Sequence, residues 1–138
     1  MKILVAVDGS SYTKRMLAYL AAHDEWLGEQ HSYTVLHVVP GVPMMAIQDK
    51  DLVNAYYDSC TDKVFKPLRT FFARHDLKVS FVGKVGKAAE VVAETATKGH
   101  FDLLLLGSHG HGSLAGLVLG SVATRVLAGC ATPALVIR

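Results

Sequence analysis

Five glycines crowd into one short stretch of the chain, and they could do chemistry that few other residues can. Gly107, Gly110, Gly112, Gly116 and Gly120 follow the apolar run Phe101–Leu106, and Gly120–Ser121 leads into a helical pattern over Val122–Ala128. Glycine has no Cβ, so a ligand can approach its backbone closely. A helix start offers unpaired N–H groups and the positive end of a dipole. Strand, glycine loop and helix start together make an anion site, and phosphate is the usual anion. His109 and His111 lie inside this loop. Two histidines without a third ligand nearby do not make a metal site, so a divalent ion would be carried by phosphates instead.

The loop can be tested against known phosphate signatures. No glycine precedes Lys-Ser or Lys-Thr, so there is no Walker A loop. Gly110 to Ala115 matches G-x-G-x-x-A, but no acidic residue follows about 20 positions later, as a dinucleotide fold needs. A phospho-acceptor receiver would end its third strand on aspartate, where this chain has Val82-Gly83.

The elements that position the loop alternate along the chain. Strands are expected at Ile3–Val7, Tyr33–Val39, Val79–Val82, Phe101–Leu106 and Ala134–Ile137. The first ends at Asp8, and Gly9-Ser10-Ser11 turns the chain into a helix reaching about Leu27, with Ser10 or Ser11 as N-cap. Pro40 to about Gln48 reads as a loop, whose Met44-Met45 pair reads as loop packing. A long helical pattern from Asp49 to His75 carries an apolar face of Leu52, Val53, Tyr56, Cys60, Val64, Leu68, Phe71 and Phe72, and Pro67 should kink or split it. A further helix runs from about Lys87 to Lys98, capped by Gly99, and the last ends before Gly129.

Strands alternating with helices predict an α/β fold, a five-stranded parallel sheet of order 3-2-1-4-5 with helices on both faces. The chain direction then reverses between the first and fourth strands, where open sheets bind ligands. Asp8 and Gly107 end those two strands and should face one crevice. Asp8 could serve as ligand contact or merely as a helix cap. His37 reads as a core histidine.

Composition sets limits. The 138 residues suffice for one domain, 1–138, and a hydrophobic content of 51% with 19% charged residues indicates a folded globule. The formal net charge is +2 with no basic run, so nucleic acid is not an expected partner. Cys60 and Cys130 form no CxxC pair and read as reduced thiols. No signal-peptide pattern and no membrane-length apolar run is visible, and a cytoplasmic location is expected.

The spacing Gly107-x2-Gly110-x9-Gly120-Ser121 resembles the nucleotide-binding signature of the universal stress protein family. The likeness extends to Ile3–Ser10, to Leu36–Val39 and to Thr132–Ile137. It implies that the chain binds ATP, with ADP or AMP as alternatives, and Mg2+ or Mn2+ on the phosphates. By that resemblance Ala6, Asp8 and Val38 frame adenine and ribose. Gly107, Ser108 and Gly110 lie against ribose and phosphates, and Gly120, Ser121, Val122 and Ala123 hold the phosphates. Position 111 is often basic in similar chains and is His111 here; Ala115–Val118 likewise lacks a lysine or arginine common there. Fewer fixed positive charges would therefore face the phosphates.

The resulting expectation is a nucleotide-dependent regulatory protein. An adenine-nucleotide hydrolase and a nucleotide-free interaction module stand as alternatives. Pyrophosphate-releasing hydrolases tend to carry S-G-G-x-D-S after the first strand, which Val7-Asp8-Gly9-Ser10-Ser11 lacks, and beyond the two histidines no general base adjoins the loop. The short apolar strand Ala134–Ile137 would lie at a sheet edge, which predicts a homodimer closed by pairing that strand with its copy.

Overall fold

A computed structural model describes residues 1–43, 49–112 and 116–138. The Met44-Met45 pair and Ala115 lie outside the described residues. Strands β1 (Lys2–Val7), β2 (Ser32–Val39), β3 (Val79–Val85), β4 (Leu103–Gly107) and β5 (Ala134–Ile137) form one parallel sheet of order β3-β2-β1-β4-β5. Helices α1 (Ser11–Ala22), α2 (Lys50–Ala73), α3 (Ala88–Lys98) and α4 (Ser121–Gly129) connect them. The predicted class and strand order are those observed.

The unbroken apolar runs of β1 and β4 arise because these central strands bury both faces. Ile3, Val5 and Val7 point to one side, where α1 brings Met16 and Leu20 and α2 brings Phe65, Leu68 and Phe72. Leu4 points to the other, with Leu36, Val38, Leu104 and Leu106, where α3 brings Val92 and Ala96 and α4 brings Ala123 and Val126. Each of the larger of these side chains contributes about 1.5–3 kcal/mol when fully buried, against about 1 kcal/mol for a helix cap. Core pairing therefore decides the architecture and caps only trim it.

Several boundaries differ from expectation for identifiable reasons. α1 stops at Ala22 rather than Leu27, because His23 leaves helical geometry (φ −129°, ψ 89°), and Asp24–Leu27 forms a separate 3-10 turn. That turn offers the Trp26 carbonyl to the Tyr33 hydroxyl. β3 passes through Gly83 to Val85, since pairing with β2 continues from His37 to Val39. A Cβ on Gly83 would stand 2.9 Å from Thr61 Cγ2, so glycine there is a packing residue, not a strand end. β4 begins at Leu103, because the Phe101 N–H is still bonded to Ala96 at the end of α3.

α2 is one element through Pro67 and is not split. Phe65 on one side of the proline and Leu68 and Phe72 on the other are buried in the same core, which holds the two halves together. The apolar face expected along all of α2 is buried only from Phe65 onward. Leu52 and Tyr56 are exposed. Gly129 is the last residue of α4, and Cys130, not Gly129, is its C-cap.

Burial pushes the Tyr33 phenol up to about 12. The folded state thus favours neutral Tyr33, and this stability is complete below the ordinary phenol value of about 10 and disappears as pH rises toward 12. Denaturant melts across that range should show the parent losing stability faster than Tyr33→Phe, whose alkaline limb should be flatter.

Candidate functional site

The site starts from the turn that ends β1. Gly9 has φ +77°, a conformation that favours glycine, and it swings the chain from β1 into α1. Ser10 caps α1, its side chain accepting from the Tyr12 N–H at 3.3 Å. Asp8 therefore is not the cap of this helix. Its Oδ1 accepts from the Ser10 N–H at 2.9 Å and from the Thr13 hydroxyl at 3.2 Å, which fixes the carboxylate at the crevice. A Cβ on Gly110 would stand 2.6 Å from Asp8 Oδ2, so only glycine lets the β4 loop lie against that carboxylate. His111 Nε2 lies 2.7 Å from the Asp8 carbonyl oxygen and, as a donor, ties the same loop to the end of β1.

The loop leaves β4 at Gly107, where a Cβ would stand 2.7 Å from Tyr12 Cβ. Ser108 is buried, and its N–H donates to the Ile137 carbonyl and its carbonyl accepts from the Gly120 N–H, each at 2.7 Å. Gly120 is the N-cap of α4 with φ −71°, an ordinary extended conformation. Its missing Cβ matters for another reason: that atom would lie 3.2 Å from both His109 Cα and the Ser108 carbonyl oxygen. A side chain at Gly120 would thus press on the loop backbone, and the Gly120 N–H is already spent on Ser108. Ser121 is the first helical residue, not the cap.

The first intrahelical bond runs from the Thr124 N–H to the Gly120 carbonyl. Among the described residues, the N–H groups of Ser121, Val122 and Ala123 have no backbone partner, and no side chain caps them. These donors carry the anion-binding capacity of the helix start.

A cavity of about 650 Å³ opens over the carboxyl ends of β1, β2 and β4. Ala6, Asp8, Val38, Gly107, Gly110, Gly120, Ser121, Val122 and Ala123 all line it, drawn from four elements and two loops. Ser108 does not line it and instead holds the loop together. The cavity also has a wall that sequence reasoning missed. Tyr56, Cys60, Lys63 and Val64 of α2 line it, spaced i, i+4, i+7 and i+8 on one helix face. Tyr56, Cys60 and Val64 belong to the apolar face expected from the sequence, while Lys63 lies beside that face and is not part of it. Hydrogen bonding to the Cys60 side chain raises the Tyr56 phenol above its ordinary value.

His37 is buried, with Nδ1 2.8 Å from the Val7 carbonyl oxygen, a core histidine as its strand position suggests. His109 is engaged at both nitrogens, by the Ser108 hydroxyl and the Leu117 carbonyl, each at 2.9 Å. Among the described residues no group of three or more His, Cys, Asp or Glu side chains is placed to hold a metal ion. Among the same residues no helix is long and apolar enough to cross a membrane.

A model of the universal stress protein family matches residues 1–138. Universal stress protein MJ0531 of Methanocaldococcus jannaschii is 25% identical over 138 residues, covering 99% of this chain and 81% of its own. Universal stress protein UspA from Lactobacillus plantarum superposes with a TM-score of 0.77 at 23% identity, over 100% of this chain and 97% of its own. A family protein from Arabidopsis thaliana, solved with AMP bound, superposes with a TM-score of 0.70 at 15% identity, over 99% and 90% of the two chains. Two further structures of the same fold contain cAMP (TM-score 0.70, 18% identity, 100% and 97% covered) and, from Archaeoglobus fulgidus, dAMP (TM-score 0.63, 19% identity, 100% and 98% covered).

The Asp8–Gly110 approach can be checked directly. Gly110→Ala should lower stability by about 1–3 kcal/mol through overpacking, while Gly112→Ala, whose Cβ meets nothing within 4 Å, should leave it unchanged. Adding Asp8→Ala to Gly110→Ala should recover part of the loss, a coupling that thermal melts of the double-mutant cycle measure.

Proposed function

We propose, from the premise that the chain belongs to the universal stress protein family, that it is a nucleotide-dependent regulatory protein whose cleft takes ATP, with ADP or AMP as alternatives. One observation carries this reading. The unspent N–H groups of Ser121, Val122 and Ala123 open into a cavity of about 650 Å³ otherwise walled mostly by apolar side chains. A flat apolar base and a phosphate need that pairing of surfaces. Ala6 and Val38 supply apolar contact for adenine, Asp8 an acceptor for ribose hydroxyls, and the start of α4 the phosphate donors. The AMP, cAMP and dAMP bound to relatives of the same fold support the ligand class. A Mg2+ or Mn2+ ion would ride on the phosphates, since the cleft offers no cluster of protein ligands among the described residues. The reading extends to a single domain over 1–138 and a cytoplasmic location.

Position 121 allows a test that spares the fold. Proline is well accepted at the first helical residue, and Gly120 before it is already extended (ψ 169°). Ser121→Pro removes one phosphate-facing N–H and should weaken ATP binding about ten- to a hundredfold, the equivalent of one hydrogen bond to a charged group at ~1.5–3 kcal/mol. Ser121→Ala, which keeps the N–H, should bind more tightly than Ser121→Pro. Calorimetric titration of both variants, with melting temperatures as control, decides it; unchanged affinity in Ser121→Pro rejects the phosphate role of α4.

We also propose a homodimer through β5. Among the described residues the strand is a sheet edge, pairing only with β4, and an unpaired apolar edge is an association template. Light scattering at micromolar concentration should give twice the mass of the chain, and a monomer mass rejects it.

A further inference from the structure

The start of α4 and the glycine loop bring no lysine or arginine into the cleft. Their two histidines are engaged, His109 at both ring nitrogens and His111 at Nε2. Among the described residues, Lys63 is the single lysine or arginine that lines the cavity, and it does so from the opposite wall. It shares the lining stripe of α2 with Tyr56, Cys60 and Val64. Val64 fixes where that stripe meets the site, its Cγ2 standing 3.1 Å from the position of a Cβ on Gly9. Gly9 adjoins Asp8, and Asp8 touches the β4 loop through Gly110 and His111. Lys63 is exposed and, among the described residues, takes part in no hydrogen bond or ion pair. Its neighbour Asp62 pairs with Arg69 instead, at 3.2 Å. Three backbone donors of α4 suit a single phosphoryl group, so an ammonium across the cleft has a use only if the ligand carries more charge.

We propose that Lys63 is a specificity-determining residue that receives a second anionic group of the bound adenine nucleotide, beyond the phosphate at the start of α4. This rests on the nucleotide reading above and deepens it: the ligand class is an adenine nucleotide with at least two phosphoryl groups. The second group could sit on a 5′ chain, as in ADP and ATP, or on the ribose, as in adenosine 3′,5′-bisphosphate. A lysine is a flexible point charge, which suits a phosphate whose position it need not fix.

The test is calorimetric titration of the parent, Lys63→Gln and Lys63→Arg with AMP, ADP, ATP and adenosine 3′,5′-bisphosphate, at two salt concentrations. Lys63→Gln should bind AMP within about twofold of the parent and lose about five- to tenfold for ADP and ATP or for the bisphosphate, the affected arm naming the place of the second group. Lys63→Arg should restore that arm, and the salt dependence of the affected ligand should fall in Lys63→Gln. Position 63 is exposed, so melting temperatures should match. Equal loss for AMP and every other ligand, or loss for none, overturns the assignment while leaving nucleotide binding intact. A parent that binds no nucleotide overturns both.

Discussion

A carboxylate and a backbone meet in this protein closer than a methyl group would permit. Asp8 ends the central strand and Gly110 belongs to the loop of its neighbour, and the space between them is too small for a Cβ. That contact exists because the sheet reverses its winding between β1 and β4, which sends the two chains to opposite faces and leaves a crevice at their ends. His111 then crosses the crevice to the Asp8 carbonyl. The cavity, the position of α4 and the exposure of its first N–H groups all follow from where this loop is held.

Glycine does three different jobs in the site, and each answers to the protein's own chain rather than to a ligand. Gly9 supplies a backbone angle, Gly110 makes way for a carboxylate, and Gly107 and Gly120 let chain segments pack against Tyr12 and against Ser108 and His109. Ligand space is thus a by-product of close protein packing. The loop has to be compact before the start of α4 can face the cavity.

The architecture was legible because the physics behind it is periodic. Runs such as Leu103–Leu106 have no polar alternation, and such strands must be covered on both sides. The reversal between the first and fourth strands followed from connection rules, and it put Asp8 and Gly107 together before any distance was known. What could not be read was whatever depends on partners far apart in sequence. β3 continues through Gly83 because its pairing with β2 continues there, and the residue is glycine because Thr61 crowds the place of a side chain. Tyr56, Cys60 and Lys63 look like any helix stripe until the first half of α2 is seen beyond the edge of the core. Gly120 stands out in the sequence as part of a phosphate signature, but that its N–H is bonded to Ser108 depends on a partner twelve residues away.

That occupation changes how the first turn of α4 behaves in time. Helix starts ordinarily fray, because nothing holds the first residues except the bonds that follow them. Here Gly120 is clamped to Ser108, and Ser108 to Ile137 of the outer strand, by bonds of 2.7 Å each. Loosening the first turn at Gly120 means also breaking its bond to the end of β4, which is itself bonded to the rim of the sheet, so the three segments are coupled. The donors that face the cavity are preorganised, and little conformational entropy remains to be lost when an anion arrives.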